Sequence, residues 1–480
     1  MRRVGRPLLA SAPSVVAWSL LAVRPVAAQH VSVAPAPKQG STPPAAKQGS
    51  TSERPDRFTV LGQSETYVSL YRQALLPGQN GAQVPTETAV PVHEYLFANA
   101  RDVDAPWQKD AIGVEFAAWG RLWPTESSSE RPFDGDVQTA NVRLDAGPGW
   151  ARLGRQQVAG GAARFARFDG ATLGVSHLGF FAEGYGGFTV LPRWNATAYQ
   201  KLGKEEDTLL TVPPVQPERS SHWLAGGRVG YKTTRVSGSL SFHEQRTEGG
   251  VDHRLLGLDV GGQPMDRASV GGSALLELDT GRFATGRIWI DAAPHRLIDL
   301  GAEYLHAEPA LLLSRQSVLS VFTTNGYEEV GGTVAARLAT FLRLEAGGYL
   351  EAYEDNGSGE RGEVAARFAW GRTRPTLVRL ALSRVMAPEN GYRAMRASFS
   401  HALTSRLGAT LEAYGYFYDQ PIAGFTTSSV YVGTATYKIL DRLDALWSAS
   451  VARSPYAAFD AQTMLRVTYR FDGPGRARFQ

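Results

Sequence analysis

The sequence predicts an all-β fold, a transmembrane antiparallel β-barrel of about 18 strands, with roughly 16 to 20 as the range. Three observations predict it. Short segments alternate apolar and polar residues from about residue 92 to 471, the period-2 mark of strands whose two faces meet different surroundings. The polar phase carries Arg and Glu in mid-strand on many segments, a repetition rare in a β-sandwich or propeller, which buries its apolar phase in a thin core. After residue 28 no apolar run reaches the roughly 20 residues of a membrane helix. A chain of this kind crosses a membrane only as a closed sheet, with every backbone group paired inside it.

The N-terminus comes first in order. Arg2, Arg3 and Arg6 precede an apolar stretch, and Val26-Ala27-Ala28 places small residues where a signal peptidase reads. Residues 1–28 are therefore read as a signal peptide, despite Pro13 and the late Arg24. Residues 29–90 read as a flexible leader and transition segment. The word KQGST occurs at 38–42 and again at 47–51, and such Pro, Ser, Gly and Gln composition buries no core. The leader is a candidate tether for a periplasmic export partner. Around TYVSLYRQALL some strand character emerges.

Residues 91–471 form the expected barrel, punctuated by NG, DG, GG and Pro turn chemistry. In NVRLDA, Val142 and Leu144 oppose Arg143 and Asp145. In FLRLEAGGYL, Leu342 and Leu344 oppose Arg343 and Glu345. The run 363–385 reads as two strands joined at Arg374-Pro375, with Val364, Ala366, Phe368 and Trp370 opposed to Glu363, Ala365 and Arg367. Some 380 residues at roughly 21 per strand and turn give the count of about 18. MLRVTYRF, 464–471, closes the series with Leu465, Val467, Tyr469 and Phe471 on one face. Residues 472–480 read as a C-terminal tail.

That last segment resembles the terminal strand of bacterial outer-membrane proteins, which ends in an alternating, aromatic pattern. The resemblance implies the outer membrane of a Gram-negative bacterium, with lipid and lipopolysaccharide as surroundings. The departure is the extension DGPGRARFQ, where family members usually stop at the aromatic residue; its Gly and Pro make Phe471 the expected strand end. Trp370, Tyr431, Tyr437, Trp447, Tyr469 and Phe471 fall on the apolar phase and fit a lipid-facing girdle.

On the opposite phase the sequence places Arg143, Arg152, Arg228, Arg337, Arg343 and Arg367, with Arg379, Arg396, Arg466 and Arg470 completing the basic set. Glu345, Glu363 and Glu412 are the central acidic members, joined by Glu115, Asp145, Glu277 and Glu303. These are the predicted pore-lining residues. A basic excess in a confined wall favours anions; cross-strand pairing alone would also keep the lumen polar.

The stretch GWARLGRQQVAGGAARFARFDGATLGVS, 149–176, resembles porin-like barrels of the alginate-export type. The resemblance implies polymer contacts at Arg152, Arg155, Arg164 and Arg167. Arg155 and Gln156 are adjacent, so both face the lumen only if the strand is bulged there. Residues 201–221 read as the longest polar loop and a candidate lid. Residues 307–322 fit neither period and read as a helical or inward-folded loop.

Other chemistries find little footing. No Cys is present, which removes lipoprotein anchoring, disulfides and thiolate catalysis. His243, Glu244, Asp252 and His253 are close in sequence but match no metal motif, so no metal or cofactor is expected. DNGSGE, 355–360, reads as a hairpin loop. No Gly-x-Ser-x-Gly elbow is visible, and an enzyme is not expected. The net charge of +4 is scattered, which gives nucleic acid no patch. The function expected is a porin-like channel passing polar or anionic solutes or an exported polysaccharide. A non-conducting assembly or adhesion scaffold is the alternative, and a barrel enzyme the third reading.

Overall fold

The computed structural model describes residues 57–75, 87–105, 108–122, 133–190, 222–247, 250–312, 326–354, 357–371, 373–388, 390–455 and 457–476. The residues read as a signal peptide and most of those read as a leader, the 201–221 loop and residues 313–322 lie outside them. Among the described residues no helix is long and apolar enough to cross a membrane. The strands do the crossing.

The first strands are β1 (Arg57–Leu75), β2 (Glu87–Ala89), β3 (Val92–Ala105), β4 (Gln108–Leu122) and β5 (Phe133–Ala146). Next come β6 (Gly149–Ala159), β7 (Phe165–His177), β8 (Phe180–Thr189), β9 (Trp223–Lys232), β10 (Val236–Thr247) and β11 (Gly250–Met265). The series continues with β12 (Ala268–Glu277), β13 (Arg282–His295), β14 (Ile298–Ala307), β15 (Tyr327–Ala339), β16 (Leu342–Tyr353) and β17 (Gly357–Trp370). It finishes with β18 (Thr376–Met386), β19 (Tyr392–Ala402), β20 (Leu407–Ile422), β21 (Phe425–Leu440), β22 (Leu443–Arg453) and β23 (Ala457–Arg476).

Neighbours in sequence pair antiparallel, and β1 pairs β23 from Arg57↔Arg476 to Leu75↔Ala457, so the sheet closes on itself. The short β2 pairs Tyr71–Gln73, and β3 pairs Thr59–Val68 on the same strand. Pro91 separates the two because it brings no N–H to the ladder. Together they make one stave, and the barrel has 22. This corrects the expectation of about 18, and 22 lies outside its range.

Two physical causes explain the excess. Many connections are shorter than the unit length assumed, such as the two-residue turns at 147–148, 178–179, 266–267 and 340–341. Staves also run beyond 91–471 at both ends, with β1 starting at Arg57 and β23 continuing past Phe471 to Arg476. Two tight turns, Leu178-Gly179 and Ala423-Gly424, have positive φ at both central residues, the geometry that matches strand twist in a hairpin.

Short turns gather at one end of the barrel, together with the start of β1 and the end of β23. In such barrels short turns face the periplasm and long loops the exterior. The outward phase is apolar: Leu344, Leu350, Val364, Leu380, Leu382, Met395 and Leu411 are 40% to 61% exposed. The large side chains that are fully buried, Phe168, Leu224 and Gln156, lie inside the barrel instead. They mark where the β6–β7 hairpin folds inward.

Candidate functional site

Pairing between β5 and β6 ends at Ala140↔Arg155, whereas β4 continues along β5 to Phe133. Pairing between β7 and β8 ends at Phe168↔Thr189. The hairpin itself stays zipped to Ala159↔Phe165. Its outer end therefore leaves the wall on both sides and turns into the lumen. Gly154 sits at the departure with φ +114, and a Cβ there would lie 2.3 Å from the Ala140 carbonyl oxygen. Only glycine takes that conformation without strain.

One face of the departed hairpin packs on the inner wall. Phe168 stacks against Tyr185 with centroids 5.8 Å apart, and Ala163, Ala166 and Leu224 complete this cluster. The Tyr185 hydroxyl meets His243 Nδ1 at 3.1 Å. Gln156 is fully buried, yet its amide donates to the Gly170 carbonyl at 3.0 Å and accepts from the Thr172 hydroxyl at 2.8 Å. An unpaired amide there would cost about 1–3 kcal/mol.

The hairpin tip is a 3-10 turn, Gly161–Ala163. The Ala162 N–H donates to Ser241 Oγ at 2.8 Å, and Ser241 donates to the Gly257 carbonyl at 3.2 Å. Ala162 also joins Leu255, Leu275 and Ala284 in a second cluster, covered by Leu311 and Leu312 of the short helix α1 (Pro309–Leu312). Arg164 Nη1 donates to the Leu312 carbonyl at 2.8 Å. The helical start of the 307–322 segment thus meets the hairpin tip inside the barrel.

The other face of the hairpin carries charge into the lumen. Arg155 grips Asp169 bidentately at 2.7 and 2.9 Å and reaches Asp136 on β5 at 3.1 Å. Arg167 meets the second oxygen of Asp136 at 3.3 Å. Arg155 and Gln156 thus project from opposite faces of a strand that has both faces inside the barrel, and strict alternation is kept. The expected bulge is replaced by departure of the whole hairpin. Of the residues marked as polymer contacts, Arg155 and Arg167 hold carboxylates, Arg164 holds α1, and Arg152 lies over Trp150 at 5.6 Å.

The predicted pore-lining residues lie on the inner phase, opposite the exposed apolar side chains. Arg337 pairs laterally with Arg343, Arg343 with Arg367, and Arg367 with Arg379, so that four arginines stand abreast on β15–β18 near the periplasmic end. Like charges facing each other across strands repel. Glu345 relieves this by holding Arg343 at 3.0 Å and Arg367 at 3.1 Å, while Glu363 holds Arg379 at 2.6 Å and Asp299 holds Arg343 at 2.8 Å. Arg337 has no carboxylate partner among the described residues, which leaves four guanidinium groups against three carboxylates.

Elsewhere on the inner phase ion pairs mix with cation–ring contacts. Arg228 meets Glu183 at 2.9 Å, and Arg396 meets Glu412 at 3.4 Å. Arg143 faces Arg152 across β5–β6, bonds Asp145 at 2.8 Å and lies over Trp150 at 4.7 Å. Arg466 lies over the Tyr67 ring at 5.9 Å. Arg470 pairs with Asp444. Glu277 takes the Thr280 N–H at 2.7 Å, and Arg287 pairs with Glu303 at 2.9 Å.

Of the aromatic girdle, Trp370, Tyr431, Tyr437, Trp447 and Tyr469 point outward and are 46% to 58% exposed. Phe471 lies over Gly62, in the space a Cβ there would occupy, and its ring centroid is 6.3 Å from that of Tyr469. Among the described residues no group of three or more His, Asp or Glu side chains is placed to hold a metal ion.

Sequence reasoning missed the inward hairpin and a strip of inner tyrosines on β16–β20. Signals for both were present. Gly154 marks the departure, and Tyr414, Tyr416 and Tyr418 share the phase of Glu412.

No family model matches the sequence, and no curated protein matches it. Solved structures do resemble it. Pseudomonas aeruginosa OccK2 (OpdF) in complex with glucuronate has 12% identity and a TM-score of 0.40 over 86% of this chain and 98% of its own. Pseudomonas aeruginosa OpdK with vanillate has 10% identity and a TM-score of 0.41, over 86% and 99%. Acinetobacter baumannii OccAB4 has 10% identity and a TM-score of 0.43, over 86% and 98%. By its own geometry, a closed antiparallel sheet with an apolar outer band and a charged interior, the chain is a β-barrel of the outer-membrane type.

Proposed function

We propose that the barrel is a selective channel for anionic polar solutes, with acidic saccharides, free or polymeric, as the class best suited to its wall. The observation that carries this reading is the lateral row Arg337, Arg343, Arg367 and Arg379. Confined positive charge concentrates anions at its mouth and lowers their entry barrier, because low-dielectric walls focus the field. The inward hairpin supports selectivity over free diffusion, since it places Phe165, Arg167 and Asp169 in the path of a solute.

Planar-bilayer recording of the refolded chain tests the reading. The wild type should conduct steadily and prefer chloride to potassium, and R367E/R379E should reverse or abolish that preference. A folded barrel that does not conduct, or selectivity indifferent to the reversal, would overturn it. The first of those outcomes would favour the scaffold alternative, in which the hairpin and α1 act as a plug.

A further inference from the structure

Above the arginine row, toward the exterior, the same inner wall changes character. Tyr349 on β16 pairs laterally with Arg361, Arg361 with Val385, Val385 with Tyr392, and Tyr392 with Tyr418. One and two steps below Tyr418 on the same face stand Tyr416 and Tyr414, spaced by about 7 Å per step. Tyr392 and Tyr416 meet edge to face at 5.9 Å. All of these rings are half-buried, with part of each facing the lumen.

In this strip, unlike the row below, carboxylates outnumber guanidinium groups, with Glu329, Glu351 and Glu412 against Arg361 and Arg396. Arg361 lies 4.4 Å over Tyr349 and holds Glu329 at 2.7 Å and Glu351 at 3.6 Å. Arg396 lies 4.9 Å over Tyr414, whose hydroxyl donates to Glu412 at 2.5 Å. The Tyr353 hydroxyl donates to Glu351 at 2.5 Å. Aromatic rings thus alternate with planar acceptors and planar donors.

We infer that this strip is a carbohydrate-binding track, which takes up the pyranose rings of a saccharide before the arginine row selects its acidic form. The inference rests on the channel reading and names the ligand chemistry of its outer half. A pyranose has an apolar face of axial C–H groups and an equatorial rim of hydroxyls. The first suits a half-exposed tyrosine ring, and the second suits carboxylate acceptors and guanidinium donors at the ring edge. An aromatic carboxylate would also stack, but as a single ring it covers one tyrosine, whereas a saccharide of several units spans Tyr414, Tyr416 and Tyr418 together. Repetition along β20 fits a ligand of several units, which can advance from ring to ring without leaving the wall.

The probes are maltohexaose, which is neutral, hexagalacturonate, which is acidic, and benzoate. Both saccharides should block the wild-type current saturably. Y392A/Y416A should weaken both blocks at least tenfold, and Y392F/Y416F should keep most of the affinity, because the ring face is retained. R367E/R379E should weaken only the hexagalacturonate block. Calorimetric titration of the detergent-solubilised full chain reads the same affinities without conductance, so failure of the channel reading is distinguishable from failure of this one. Absence of saturable saccharide binding to a folded barrel would overturn the inference. So would affinity unchanged by the alanine pair, or benzoate binding more tightly than either saccharide.

Discussion

Ala162 rests on Gly257: a Cβ at position 257 would lie 2.7 Å from the Ala162 amide nitrogen. The tip of the inward hairpin touches the inner face of β11 there with no room for a side chain. Gly257→Val should lift the tip, because neither the tip backbone nor the β11 backbone can yield the missing space. Overpacking of this kind costs about 1–3 kcal/mol. Thermal unfolding in detergent should shift down, and single-channel conductance should fall as the tip is pushed off the wall toward the lumen axis.

Asp136 is the hinge clasp of the same hairpin. Its side chain is 7% exposed and bonds both Arg155 and Arg167. Removing a buried partner strands the remaining charges, at a cost of about 3–5 kcal/mol. Asp136→Ala should destabilise the barrel and add flicker between conductance levels. Combined with Arg155→Ala, the loss should be smaller than the sum of the single losses, since both act on one contact. Simple additivity in the unfolding midpoints would argue against the clasp.

Anion preference should fade with salt. The Debye length is about 10 Å at 0.1 M and 3 Å at 1 M, and the row arginines are partly solvent-exposed, Arg367 at 47%. Reversal potentials under equal KCl gradients centred near 0.1 M and near 1 M check this. A ratio independent of salt would locate selectivity in a drier constriction.

The two faces of β18 should respond oppositely to charge. Leu382 is 54% exposed on the outer phase, while Ser383 lies on the inner one. Leu382→Arg should cost about 2–4 kcal/mol if it sits near the bilayer midplane, and Ser383→Arg far less. Unfolding midpoints in lipid vesicles compare them directly.

Alternation within one strand was fully legible. The opposition of Val364, Phe368 and Trp370 to Glu363 and Arg367 follows from the period of the backbone and appears unchanged in the barrel. The number of staves was not legible to the same degree. Pro91 divides one stave, Pro421 lies within another, and turns as short as Ala423-Gly424 leave little punctuation. The site was legible residue by residue but not as an arrangement. That Arg337, Arg343, Arg367 and Arg379 stand abreast depends on register between four strands, which no local pattern encodes. The inward hairpin escaped for a different reason. Strict alternation assumes one face toward lipid, and past Gly154 neither face is.

The seam between β1 and β23 joins the two stretches of described chain most remote in sequence. Until residues 457–476 are delivered, β1 and β22 each present an open edge of unmet N–H and C=O groups, which hydrocarbon cannot satisfy. Assembly in the bilayer is therefore all or nothing, and an incomplete chain has no stable resting place there. Whatever holds those two edges during insertion must release them only when the last strand arrives, and the length of the seam, from Arg57 to Leu75, makes that release hard to reverse.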